Sequence, residues 1–165
     1  MQKTQLNKEQ LVAIGLILLA VVSRLLPHPP NFAPITGIAL FTASQFQNKR
    51  LAIVVPLLSM LFTDLFLGLS AISGFVYVAF VGIFLLGQTV RKTNVKTVLL
   101  SSVLFFVVTN LGVWMLHYPL TIEGLSSCFV LAIPFFTNTL FGDLFYTAVL
   151  FFTFNKIKQT YLKPA

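Results

Sequence analysis

The chain has 165 residues, of which 57% are hydrophobic and 9% charged, with 18 Phe against four acidic side chains. A soluble domain of this size cannot enclose so much apolar side chain, so the reading is all-α: a polytopic membrane protein forming one transmembrane domain over 1–165. The formal charge of +7 is spread among the connections and forms no patch, so no nucleic-acid partner is expected.

The opening "MQKTQLNKEQLVAIGLILLAVVSRLLP" has the basic flank and apolar centre of a signal peptide. Ser23-Arg24 stands where a small-x-small cleavage site would be needed, so a retained first helix is predicted over about 8–26, with Asn7 as its cap and Gln10 as capping-box partner. Pro27 stops it, and "PHPPNFAP" predicts a stiff, extended connection because its prolines fix φ and remove donors. A short second helix is expected over 34–46, a third over 51–69 and a fourth over 72–90, with "SAIS" as the turn between the last two. The fifth is expected over 98–116 and the sixth over 129–154, where Pro134 marks a kink or a late start.

Charge placement bears on topology. Lys3, Lys8, Lys49, Arg50, Arg91, Lys92, Lys96, Lys156, Lys158 and Lys163 fall at the two termini and on the connections between helices two and three and helices four and five, and Arg24 alone falls on the other side. The positive-inside rule then gives six crossings, with both termini cytoplasmic and the second helix counted as a crossing.

This topology gathers polar residues toward the outside. Arg24, His28 and Asn31 lie at or beyond the end of the first helix, Asp64 in the outer half of the third, and Asn110 and Trp114 near the end of the fifth. Asn138, Asp143 and Tyr146 line the sixth. With the inner halves almost purely apolar, the expectation is an outward-opening polar cavity over a sealed floor, and these nine residues are its candidate substrate-binding set. Asp64 and Asp143 have two readings, as polar glue between helices or as ligand groups, and Arg24 is the candidate counter-ion of Asp64.

His28 and His117 have no metal-ligand spacing, and the single Cys128 reads as a packing residue. No metal or other cofactor is therefore expected. Trp114 and Tyr118 suit an aromatic belt or stacking on a planar ligand. Ala39 and Ala43, with Gly37 before them, form a small-xxx-small face for close helix contact. "LFTDLF" (61–66) and "LFGDLF" (140–145) suggest an inverted repeat of three plus three helices.

The stretches "SRLLPHPPNFAPITGIALF", "PLLSMLFTDLFLG", "TNLGVW" and "YPLTIEGLSSCFVLAIPFFTNTLFGDLFY" resemble a family of small bacterial membrane proteins of unassigned function. That family is in turn similar to the substrate-binding S components of energy-coupling factor (ECF) transporters. The resemblance implies a six-helix S-component-like bundle that binds a vitamin or similar micronutrient. It also implies docking on a transmembrane coupling protein that carries two ATPases. Asp64-x-x-x-Gly68 resembles the aspartate-and-glycine helix end of S components, and Ala39-x-x-x-Ala43 their alanine docking motif, although that motif belongs to their first helix and here lies on the second.

The chain contains no phosphate-binding Gly-x-x-x-x-Gly-Lys-Ser stretch, so ATP energy would come from partners. The expected function is substrate capture for uptake, without enzymatic activity. The alternatives are a self-contained solute or ion transporter and an intramembrane aspartyl protease, of whose Gly-x-Gly-Asp pattern "FGD" at Asp143 is only a fragment.

Overall fold

A computed structural model describes residues 8–90 and 92–161, and over these the chain is all helical. The six helices are α1 (Lys8–Leu25), α2 (Ile35–Gln45), α3 (Lys49–Leu67), α4 (Ser73–Thr89), α5 (Val95–His117) and α6 (Ile122–Tyr161). The expected cap Asn7 lies outside the described residues, as do Lys3, Arg91 and Lys163.

Three helices start earlier than predicted, and in each case a polar side chain sets the start. The Asn48 carboxamide accepts from the backbone N–H groups of Arg50 and Leu51, and Asn94 accepts from that of Thr97. The Thr121 hydroxyl accepts from Gly124 N–H at 3.1 Å, which starts α6 seven residues before the predicted Phe129. Satisfying donors that have no partner within the helix is what N-caps do. Glu123, expected in a loop, therefore lies in the first turn of α6, where the helix dipole favours a negative charge. Pro134 lies inside α6 rather than at its start.

α2 is the centre of the molecule. Every residue from Ile35 to Ala43 is buried, and the helix packs against α3, α4 and α6, while α1 packs on α3. Close approach to α4 is possible because Gly87 faces Ala43: a Cβ built on Gly87 would lie 2.9 Å from the Ala43 methyl. The small-residue face of Ala39 and Ala43 is thus spent inside the chain. This corrects the expectation that it presents a docking surface to a coupling protein, since neither residue exposes more than 1% of its surface.

Proline and threonine lock α2 to α3. Pro56 has no N–H, so the Ala52 carbonyl four residues earlier loses its helical donor. The Thr42 hydroxyl of α2 donates to that carbonyl at 2.8 Å and fills the vacancy. Thr42→Val is expected to cost about 1–3 kcal/mol, the penalty of a buried acceptor left bare. In a Pro56→Ala background, where the helix regains its own donor, the same change is expected to cost less than half as much. Unfolding of the four proteins in detergent micelles measures the cycle. At the end of α2, Lys49 Nζ donates to the carbonyls of Ala43 (2.8 Å) and Phe46 (3.0 Å), so a cation stands at the negative helix pole.

Contacts fix the helix directions. Arg24 of α1 meets Asp64 of α3 near both C-terminal ends, so these helices run parallel, whereas Thr42 meeting Ala52 sets α2 against α3. Gly112 near the end of α5 meets Phe75 at the start of α4, and Cys128 and Asp143 of α6 meet Asn110 and Ser102 of α5 in reverse order, which continues the alternation through α4, α5 and α6. The start of α1 and the end of α6 therefore share one end of the bundle, together with Lys8, Lys49, Arg50, Lys92, Lys96 and Lys156. This is the basic end.

α3, α5 and the stretch Ile122–Lys156 of α6 are long and apolar enough to cross a bilayer, and α1 and α4 are shorter apolar helices. Large apolar side chains such as Leu18, Phe66, Val78, Leu100, Phe141 and Phe152 cover the outside, as a lipid-facing surface requires. The chain is a membrane protein. α2, with 11 residues, is about 16 Å long against a hydrocarbon core of about 30 Å.

Candidate functional site

α2 is short because the chain before it enters the bundle without helical structure. Asn31 adopts a left-handed φ of 64°, and Phe32 then packs its ring on Phe145 and Tyr146 of α6 at 6.0 and 5.5 Å. Gly142 makes this descent possible, since a Cβ there would lie 3.0 Å from Phe32 Cα and 3.3 Å from Ala33 N. α2 thus begins partway down the bundle, beside the two aspartates. Non-helical backbone at such depth is tolerated where it is enclosed by protein or lines a cavity.

Asp64 is 5% exposed, and both its oxygens are engaged. One accepts from Arg24 Nη2 at 3.3 Å, and the other accepts from the Tyr77 hydroxyl at 2.9 Å. Arg24 turns its second nitrogen to the Met60 sulfur, one helical turn below Asp64. Beyond Asp64, toward the rim, α3 ends at Gly68, whose N–H donates to the Asp64 carbonyl and whose φ of 93° suits glycine. The predicted counter-ion is confirmed, and the ion pair ties α1 to α3.

Asp143 is more deeply placed, at 2% exposure. Its Oδ2 accepts from the Ser102 hydroxyl of α5 at 2.7 Å, and the Thr36 hydroxyl in the first turn of α2 is a second donor. No basic side chain among the described residues bonds to it. The two carboxylates therefore have separate partner sets.

Both aspartates line one cavity of about 260 Å³, together with Arg24, His28, Asn31 and Thr36. Exposed His28, Gly68 and Ser70 stand at its rim, away from the basic end, so it opens toward that opposite end. Ile35 and Thr36 of α2 line its inner side, and α2 is buried from there to Ala43. A second cavity, of about 330 Å³, adjoins the first and shares Asn31, Val76, Phe105 and Thr139 with it. Its walls are aromatic, from Phe105, Phe106, Phe135 and Phe136, and it also takes in Asn110, Tyr118 and Cys128. Asn110 spends its amide on the Phe106 carbonyl at 2.7 Å, leaving its side-chain oxygen available to the cavity.

The predicted set divides accordingly. Arg24, His28, Asn31, Asp64 and Asp143 converge on the first cavity and Asn110 lines the second, while three residues line neither. Trp114 donates its indole N–H to the Pro119 carbonyl at 3.0 Å and pins the α5–α6 connection. Tyr146 is spent on Phe32 and Phe145. Asn138 precedes Asp143 by five residues, about 140° around the helix, whereas Thr139, four residues before, shares the aspartate's face and lines both cavities.

Tyr77, Thr36, Ser102 and Met60 were missed in the sequence. Tyr77 carried a readable signal, because it lies just past the turn joining α3 to α4, opposite Asp64. Ser102 and Thr36 carried little: a hydroxyl in an apolar helix usually bonds its own preceding turn, as Ser59, Thr63, Ser101 and Thr109 do here.

Among the described residues no group of three or more His, Cys, Asp or Glu side chains is placed to hold a metal ion. No curated protein and no solved structure matches the chain. One family model does, over residues 4–164. Nearly the whole chain is covered, and the protein belongs to that family, DUF6580, a family of unknown function.

Proposed function

We propose that the protein is a membrane-embedded capture subunit that takes a small solute of the vitamin or micronutrient class from outside the cell, with ATP energy supplied by partner proteins. One observation carries this reading: two buried aspartates from different helices converge on a cavity that opens at the end away from the basic connections and has the buried α2 on its inner side. Intramembrane ionisable side chains facing a cavity are the usual mark of a solute site.

On this reading the basic end is cytoplasmic by the positive-inside rule, and both termini lie there. The second of six crossings is made jointly by the non-helical run 26–34 and α2. The likeness of the quoted stretches to ECF S components supports partnership with a coupling protein and its ATPases in the bacterial inner membrane. Because the alanine face is buried, such a partner would have to meet another surface. The buried α2 on the inner side of the cavity supports capture over stand-alone transport, and the separate partners of Asp64 and Asp143 give no support to a proton-sharing protease dyad.

The protein purified from its native membrane is expected to bring down an ATPase-bearing module and a small molecule detectable by mass spectrometry. Asp64→Asn and Asp143→Asn are each expected to lower uptake of that molecule at least tenfold at unchanged membrane abundance. Unchanged uptake in both variants would overturn the reading. Uptake into liposomes by the isolated protein would favour the stand-alone transporter.

A further inference from the structure

We infer that the captured solute is an organic cation with a planar ring, its ammonium or equivalent group held at Asp143 and its ring in the aromatic cavity. This rests on the capture reading and adds the chemical class of the ligand.

The charges of the cavity are unevenly matched. Arg24 and Asp64 neutralise one another, and Tyr77 takes the remaining Asp64 oxygen. His28 is exposed at the rim, with Nδ1 2.8 Å from the Pro29 carbonyl and Nε2 3.3 Å from the Arg24 carbonyl, to only one of which a neutral ring can donate. Asp143 has hydroxyl donors only, from Ser102 and Thr36. The start of α2 lies beside it and supplies at most about half a positive charge. A carboxyl group buried to this degree either takes up a proton or needs a full counter-charge, and the adjoining cavity has room for a cation that would supply one.

The second cavity sets the rest of the molecule. It adjoins the first through Asn31, Val76, Phe105 and Thr139, so one ligand reaches both. A cavity of about 150 Å³ accepts a benzene ring, and this one, at about 330 Å³, holds one or two fused rings. Phe106, packed on Phe129 and Phe136 at 5.5 and 4.8 Å, gives a ring face for offset or edge contact. Asn110, with its carbonyl oxygen uncommitted, offers a further acceptor for a ring N–H.

The test uses the full chain in detergent and four probes: 2-phenylethylammonium, 2-phenylethanol, 3-phenylpropionate and ethylammonium, titrated by calorimetry. The wild-type protein is expected to bind 2-phenylethylammonium at least tenfold more tightly than each of the other three. Asp143→Asn is expected to bring it down to the level of the alcohol. Phe106→Leu is expected to weaken 2-phenylethylammonium and leave ethylammonium unchanged. The wild-type comparison stands even where a variant fails to fold. Binding of 3-phenylpropionate as tight as that of the amine, or of none of the four, would overturn the inference. An anionic molecule co-purifying with the chain would overturn it too while leaving the capture reading intact, whereas unchanged uptake in both aspartate variants overturns both.

Discussion

Arg24→Met is expected to destabilise the protein by about 2–3 kcal/mol, since it leaves Asp64 charged in a protein interior with Tyr77 as its sole partner. The figure sits at or below the usual range for fully buried pairs because the Arg24 side chain keeps 18% of its surface exposed. The double variant Arg24→Met/Asp64→Leu is expected to recover most of that loss, as apolar groups of similar size replace a desolvated pair at little net cost. Equilibrium unfolding of the wild type, both single variants and the double variant in one detergent supplies the coupling energy. A coupling energy below about 0.5 kcal/mol would mean that the pair is solvent-screened and holds nothing. Because the pair joins α1 to α3, Arg24→Met is also expected to speed hydrogen exchange in α1 ahead of the other helices.

Gly142→Leu is expected to have the largest effect on the site without touching either carboxylate. Its Cβ alone would press on Phe32 Cα at 3.0 Å, and this neighbour is backbone that cannot rotate away. The run carrying Phe32 and Ala33 must lift from α6, which moves Asn31 and Ala33 in the cavity wall and the first turn of α2. Overpacking of this kind costs about 1–3 kcal/mol, and binding of 2-phenylethylammonium is expected to fall at least tenfold. Gly142→Ala sets the same clash against a helix-propensity gain of about 1 kcal/mol, so its stability change is expected to be small while its binding defect persists. Thermal unfolding and calorimetry on both variants separate the two effects. Unchanged binding in Gly142→Leu would show that the descending run does not shape the site.

The sequence disclosed helix number and polar convergence better than helix limits. Asp64 and Arg24 were legible as a pair because both are rare charges near the ends of helices that parity makes parallel. Asp143 was legible as a charge with no business in an apolar run, but its partners were not, since Ser102 and Thr36 look like any hydroxyl bonding its own helix. Helix starts at Lys49, Val95 and Ile122 were hidden because Asn48, Asn94 and Thr121 read as loop residues until their bonds to the following N–H groups are seen. Asn138 misled because distance along the chain was taken for proximity, and a five-residue step turns a helical side chain away. The alanine face showed that close packing was needed, but Gly87, its partner, lies more than forty residues on, and nothing local joins the two.

The two helical prolines differ in what becomes of the acceptor that each leaves bare. At Pro56 the missing donor is replaced from α2, so the point where a helix would ordinarily bend is stapled to its neighbour. Pro134 likewise leaves the Val130 carbonyl without its helical donor, and among the described residues no hydroxyl from a neighbouring helix replaces it. The part of α6 before Pro134, residues 122–133, carries Cys128, Leu131 and Ala132, which form one wall of the aromatic cavity. The bundle thus holds one proline stapled by a neighbouring helix and one that is not, and the unstapled one lies in the helix whose residues Cys128, Leu131 and Ala132 wall the aromatic cavity.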